Sequence, residues 1–237
     1  MTGRTETHRG LCLATDPSML VSTEKVSKIL TESVRAGVNM ILVQDRTASD
    51  AVFAEQALRI RAEVSRVIAE PGPHTPFHVP VFVHDRFRVA LRHGFHLLLQ
   101  HSDIDYLEAR RRMPGDLMIG VSIDEPDALE TLATSCSRFG VRIPDVIGIG
   151  PVWSTDARRR QVPPLGPEGV DAIARAAATA GVTTIAVGGI TVGNVDKLGA
   201  TAVDTICVSS AQMGADDPFM TARTLLTLFR PAEIRPS

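Results

Sequence analysis

The residues of this chain that could do chemistry fall in short polar clusters, each directly behind a short apolar run. The longest cluster follows Val146–Ile149. Gly150-Pro151 ends that run, and Ser154, Thr155, Arg158, Arg159 and Arg160 come next. Hydroxyls and guanidinium groups behind a buried strand can bind an oxyanion or a phosphate. A solvated basic turn is the alternative for the same residues. Asp85 and Asp103 form a second set. Paired carboxylates, completed by water and substrate phosphates, are the usual way to hold Mg2+. Each also suits a structural role, Asp85 as the partner of Arg86 or as a helix cap, Asp103 as the cap of the helix behind it. Gly188-Gly189 and Ser209-Ser210 offer backbone N–H groups to a phosphate, or form two tight turns.

Placing these residues together requires a particular arrangement of elements. Apolar runs alternate with segments of helical period throughout. The predicted strands are Leu11–Thr15, Met40–Val43, Val81–His84, Phe95–Leu99, Leu117–Val121, Asp145–Ile149, Thr184–Val187 and Thr205–Val208. The predicted helices are Ser22–Ala36, Ala51–Ile68, Arg86–His93, Asp105–Arg112, Asp127–Phe139, Pro167–Ala180, a short Asn194–Leu198 and Pro218–Phe229. Strand–helix alternation implies a parallel sheet with helices outside it. Eight such pairs in a chain of 237 residues point to a single-domain (β/α)8 barrel, an α/β fold. An open doubly wound sheet is the runner-up, weakened by the lack of a Gly-x-Gly-x-x-Gly turn behind the first strand. The barrel is expected over 10–230, with tails at 1–9 and 231–237. The proline-rich stretch 71–80 is expected to be a surface loop.

Composition narrows the function classes. Apolar residues make up 44% and charged residues 22% of the chain, as in an ordinary globular domain. A net charge of −2 gives no reason to expect a nucleic acid or an anionic membrane as partner. No apolar run approaches the ~18 residues of a membrane span, and residues 1–10 lack the apolar core of a secretory signal. Cys12, Cys136 and Cys207 have no zinc spacing, so a reducing, cytoplasmic setting is expected. Small-molecule substrates are the expected partners, and a homo-oligomer is left open.

In such a barrel the active site lies just beyond the carboxyl ends of the strands. The residues there are Gln44, Asp45 and Arg46; His84, Asp85 and Arg86; Gln100, His101, Ser102 and Asp103; Ser122; Thr155 and Arg158; Gly188 and Gly189; Ser209 and Ser210. Nearly every loop of this face carries a group suited to a phosphate, a metal or a polar ring. His96, on a strand, suits a hydrogen-bonded core position better than a catalytic one. Trp153 suits packing beneath its loop.

These residues resemble the thiamine phosphate synthases, barrels that join a pyrimidine methyl diphosphate to a thiazole phosphate and release pyrophosphate. The resemblance runs from Leu11 to about Leu228. It is carried by Ile119-Gly120-Val121-Ser122, by Ile149-Gly150-Pro151-Val152-Trp153-Ser154-Thr155, by Ile185-Ala186-Val187-Gly188-Gly189-Ile190 with Asn194, and by Val208-Ser209-Ser210-Ala211 before Ala215-Asp216-Asp217-Pro218.

The resemblance implies a Mg2+-dependent transferase of thiamine biosynthesis. It places Gln44 and Arg46 in the run that holds the pyrimidine diphosphate, where this chain has Thr47 and Ala48 in place of the family's Glu and Lys. It makes Asp85 and Asp103 the Mg2+ ligands, with His84 standing where the family has Asn. It assigns Ser122, Thr155, Arg158, Gly188, Gly189, Ser209 and Ser210 to the substrates. Of these residues, Arg46, Ser122 and Arg158 are the candidates for stabilising the reaction. Arg158 replaces the family's Lys, and Ala157 replaces a hydroxyl. The related thiazole tautomerases carry a His where this chain has Pro151. A catalytically weak or silent barrel that binds a thiazole or thiamine phosphate is a further alternative, kept open by the changes at 48, 84 and 157.

Overall fold

The computed structural model of the chain describes residues 10–15, 23–100, 104–154 and 163–229. Both terminal tails expected from the sequence lie outside these residues. The parallel strands are β1 (Gly10–Ala14), β2 (Met40–Val43), β3 (Val81–His84), β4 (His96–Leu99), β5 (Ile119–Ile123), β6 (Val146–Ile149), β7 (Thr183–Val187) and β8 (Thr205–Val208). They pair in sequence order, and β8 returns to β1 to close the barrel. This is the (β/α)8 barrel expected from the alternation. The helices are α1 (Thr23–Arg35), α2 (Asp50–Ala69), α3 (Phe87–His93), α4 (Tyr106–Arg112), α5 (Pro126–Arg138), α6 (Gly166–Thr179), α7 (Ser210–Met213) and α8 (Pro218–Phe229). Among the described residues, no helix is long and apolar enough to cross a membrane.

The strands are apolar and buried on both faces, so the barrel wall carries one apolar layer outside and another inside. Outside the strands, the apolar stripe of each helix packs on the barrel wall. In α2 the stripe is Phe53, Ala57, Ile60, Val64 and Val67, all buried. Each large side chain of this kind contributes about 1.5–3 kcal/mol on burial. Inside the barrel, Cys12, Ala14, Leu42, Phe82, Leu98, Val146, Ile185 and Cys207 form a separate core. Cys12 and Cys207 are register partners on adjacent strands. The Cys207 side-chain hydrogen bond and burial together push the Cys12 thiol well above its usual range, so it acts as a small core residue.

Local signals set most of the boundaries. Ser49 caps α2 by accepting from the Val52 N–H, and α3 ends at Gly94 in the left-handed region, φ 66°. Three details depart from the sequence reading. β5 runs from Ile119 to Ile123, two residues later than Leu117–Val121, because Leu117 donates to Pro114 O in a turn and Asp145 accepts the Ile119 N–H. Val195–Leu198 is a single 3-10 turn. The four-residue α7 is too short to show a period in sequence.

At the amino-terminal face, polar side chains tie strand ends to one another. Asp145 accepts from Ile119 N–H and pairs with Arg110 and Arg142. Asp204 bonds Thr184 at 2.9 Å. His96 accepts the Met118 N–H at its Nδ1, 2.9 Å away. His96 is thus a hydrogen-bonded structural residue, as its place on a strand implied.

Candidate active site

The inner face of each strand continues into the mouth of the barrel. Side chains alternate along a strand, so the parity that points Leu42, Phe82 and Leu98 inward also points Gln44, His84 and Gln100 toward the mouth. Ser122 and Gly148 are register partners on the same inner face. A Cβ at residue 148 would stand 3.1 Å from Ser122 Oγ, so the glycine leaves the hydroxyl its space. Ser122 belongs to β5 itself, not to the loop behind it.

The β2–α2 loop is built around a carboxylate. Asp45, 8% exposed, accepts from Thr47 N–H at 2.8 Å, Thr47 Oγ1 at 2.8 Å and Ala48 N–H at 3.0 Å. Burial by itself would raise the Asp45 pKa. The donors from Thr47 and Ala48, with the Arg86 charge, outweigh it and hold the carboxyl below its ordinary value. Gln44 is fixed by its backbone, which accepts from and donates to Thr15 Oγ1. The Ala48 methyl packs against the outer core, so this position sends no cation into the mouth. Arg46, by contrast, is exposed and reaches Gln100 Oε1 with Nη2, 3.4 Å away.

Asp85 follows β3 with φ 52°, the only positive φ outside glycine among the described residues. Its Oδ1 accepts the Gln100 N–H at 2.7 Å, and its Oδ2 lies 3.8 Å from His84 Nε2. Neither structural alternative applies to it. The residue at the N-cap of α3 is Arg86, and Arg86 pairs with Asp50 rather than Asp85. A left-handed aspartate held by a backbone donor costs on the order of 1–3 kcal/mol of strain, a cost that clusters at functional sites. The cap of α4 is Asp105, whose side chain accepts from Glu108 N–H at 2.8 Å. Asp103 lies outside the described residues, as do Thr155 and Arg158.

On the opposite side of the mouth, β6 and β7 stay paired beyond their formal ends. Val152 N–H donates to Val187 O at 2.9 Å, and Trp153 N–H to Gly188 O at 3.1 Å. The approach demands glycine: a Cβ at Gly150 would lie 2.2 Å from Val187 O, and one at Gly189 2.9 Å from Trp153 Cβ. Gly188 and Gly189 have φ of 100° and 68°. Leu165 and Gly166 then donate to Pro151 O and Val152 O, which brings the two ends of the arginine loop together. Trp153 packs partly buried against the core, as expected of it. Ser209 follows β8 at the N-cap position and Ser210 opens α7, so the serine pair is a strand-to-helix junction. The Ser209 hydroxyl is enclosed without a hydrogen-bond partner among the described residues.

The structure therefore brings Gln44, Arg46, His84, Asp85, Ser122, Gly188, Gly189, Ser209 and Ser210 to one end of the barrel. The organising role of Asp45 and the loop-holding role of Arg86 were not visible in the sequence. The one sequence signal for Asp45 was an Asp two and three residues before Thr47 and Ala48, the spacing of a side-chain-closed turn.

Residues 11–212 match the family model of thiamine monophosphate synthase. The chain is similar to the thiamine biosynthesis multifunctional protein ThiED of Corynebacterium efficiens, 37% identical over 219 residues, which cover 92% of this chain and 28% of that protein. It spans the same 28% of the corresponding protein of Corynebacterium glutamicum. A thiamine-phosphate synthase of Albidiferax ferrireducens is 29% identical, with 86% of this chain and 84% of that one covered. Among solved structures, thiamine phosphate pyrophosphorylase from Pyrococcus furiosus superposes with a TM-score of 0.72 at 25% identity, over 94% of this chain and 96% of that one.

Proposed function

The chain belongs to the thiamine monophosphate synthase family, and from that premise we propose that its barrel mouth couples a pyrimidine methyl diphosphate to a thiazole phosphate, yielding thiamine phosphate and pyrophosphate. The observation that carries this reading is one hydrogen-bonded link across three loops. Arg46 reaches the Gln100 side chain, and the Gln100 N–H holds Asp85. A cation and a carboxylate are thereby held on one side of the mouth, where a metal-bound diphosphate needs both.

In the reaction the bond from the pyrimidine methylene carbon to the diphosphate oxygen breaks, and pyrophosphate leaves with the electron pair. The thiazole nitrogen then donates its lone pair to that carbon. No residue need form a covalent bond, so the protein acts by position and charge. Gln44 and His84 face the pyrimidine, and a neutral imidazole supplies one donor and one acceptor, as the polar ring requires. Arg46 meets the diphosphate. Ser122 and the arginine loop, through Thr155 and Arg158, complete that end. The thiazole phosphate lies against Gly188, Gly189, Ser209 and Ser210, where the unsatisfied Ser209 hydroxyl favours an added acceptor.

Asp85 is a hard oxygen ligand oriented by a backbone donor, which suits Mg2+, and Asp103 is the second ligand in this reading. Among the described residues, no three His, Cys, Asp or Glu side chains gather as a complete metal cage. Mg2+ would suit such a site, since it is commonly held by one or two carboxylates together with water and substrate phosphates. When bound, it neutralises charge on the departing pyrophosphate. The setting is cytoplasmic in this reading.

The test is formation of thiamine phosphate from the two purified substrates. We expect product and pyrophosphate with Mg2+ and none with chelator. Absence of product with Mg2+ present would sink the reading in favour of a silent phosphate-binding barrel.

A further inference from the structure

Arg86 is the residue next to Asp85, yet its guanidinium is committed to a different loop. Nη2 donates to Asp45 O at 2.7 Å and to Ala48 O at 2.9 Å. Nη1 donates to Asp50 Oδ1 at 2.9 Å, and the group lies 5.1 Å from the centre of the Phe53 ring. Its side chain is 19% exposed. The two carbonyls bracket Arg46, and the turn between them is closed from inside by the Asp45 carboxylate. The loop is therefore held from both sides, by an internal carboxylate and an external guanidinium.

The backbone of residues 85 and 86 and the head of Arg86 thus link two arms of the site. One arm carries Asp85 and the other Arg46. A planar fork with several fixed donors can hold two carbonyls and a carboxylate at once, and an ammonium on a flexible stem does this poorly. Arg86 also forms one wall of a cavity of about 380 Å³, with Asp50, Asp85, Phe87, Ile104 and Arg112 among its other walls. Truncation of Arg86 would leave the loop facing that cavity and not a packed side chain.

We propose that Arg86 is a positioning residue for the diphosphate half of the site: it sets the spacing between Arg46 and Asp85 without touching the substrate. This rests on the function proposed above. Because truncation to alanine can unfold the protein, Arg86→Lys and Asp50→Asn are the informative variants.

Three readouts separate the outcomes. In Arg86→Lys the amides of Thr47 and Ala48 should exchange with deuterium faster than in the wild type. KM for the pyrimidine diphosphate should rise about 10-fold, with kcat within about 3-fold and KM for the thiazole phosphate within about 2-fold. Asp50→Asn, which keeps an acceptor, should shift the same parameters less. Calorimetric binding of inorganic pyrophosphate with Mg2+ should weaken about 10-fold in Arg86→Lys. Equal loss for both substrates, or faster exchange with an unchanged diphosphate KM, would overturn the proposal. If the wild type binds pyrophosphate but makes no thiamine phosphate, the functional reading alone fails, and the pyrophosphate comparison still decides the role of Arg86. Equal pyrophosphate binding by wild type and variant, or none by either, overturns it.

Discussion

Asp85 is the residue on which the metal assignment turns, and its geometry separates chemistry from folding. Asn keeps an acceptor for the Gln100 N–H and tolerates the left-handed backbone at φ 52°. Asp85→Asn should therefore melt within a few degrees of the wild type and lose Mg2+-dependent turnover. Full Mg2+-dependent activity in this variant would remove Asp85 from the metal site. Arg158 is the second decisive residue. Ala48 turns its methyl into the outer core, and in the proposed reading Arg158 supplies the charge that this position lacks. Arg158→Ala is expected to lower kcat/KM for the pyrimidine diphosphate on the order of 10²-fold, the scale of losing one preorganised donor. Arg160→Ala should do much less, since successive loop side chains rarely share one ligand. Wild-type kinetics in Arg158→Ala would end the compensation argument.

At the scale of elements, the proposed phosphate end depends on how closely β6 and β7 approach. Gly150 stands where a Cβ would be 2.2 Å from Val187 O and 2.8 Å from Val187 Cγ2. Both contacts lie on the adjoining strand, so relief requires the strands to part. Parting them breaks the bonds from Val152 and Trp153 that carry the pairing into the mouth. Gly150→Ala should cost about 1–3 kcal/mol, as overpacking does, and lower Tm by roughly 2–12 °C for a domain of this size. It should also raise KM for the thiazole phosphate more than KM for the diphosphate. Gly140→Ala is the control. It has φ 63° with nothing within 4 Å, so it should cost only about 1 kcal/mol of backbone strain and leave both KM values unchanged. A KM for the thiazole phosphate as unchanged in Gly150→Ala as in Gly140→Ala would argue against the close approach.

The whole molecule should lose stability in acid in two stages. Burial depresses the His96 pKa below its usual 6.5, assisted by His78 and opposed by Asp145 and Asp116. The unfolded chain then binds a proton that the native state resists, so stability is complete above 6.5 and falls as pH drops through the depressed value. Protonation of Nδ1 would also break the bond from Met118 N–H. The second stage belongs to carboxylates. Arg66, against the opposing effect of burial and with help from Thr31 and Ser27, holds Glu63 at about 2 instead of 4.5. Its contribution is complete above 4.5 and is lost as pH falls toward 2. Urea midpoints measured against pH should show both limbs. His96→Asn should flatten the upper limb and Glu63→Gln the lower. A profile unchanged in either variant would assign that limb to other groups.

Much of this molecule was legible in its sequence because the signals are periodic and local. Short continuous apolar runs mark strands buried on both faces, a period of 3.6 marks the buried stripe of each helix, and eight alternations admit few topologies other than a barrel. Closing the barrel then sends the inner parity of each strand into one mouth, so Gln44, His84 and Ser122 could be placed from strand ends alone. Gly150, Gly188 and Gly189 were visible as punctuation, but the 2.2 Å approach that requires Gly150 was not. The contacts that escaped the sequence join residues far apart in the chain. Arg86 reaches Asp50 across 36 positions and Asp45 O across 41, and not its neighbour Asp85. Asp105, and not Asp103, caps α4. A residue type states what a side chain can bond. Only the packed positions of neighbouring strands and loops decide which of several equivalent donors and acceptors lie within 3 Å of each other.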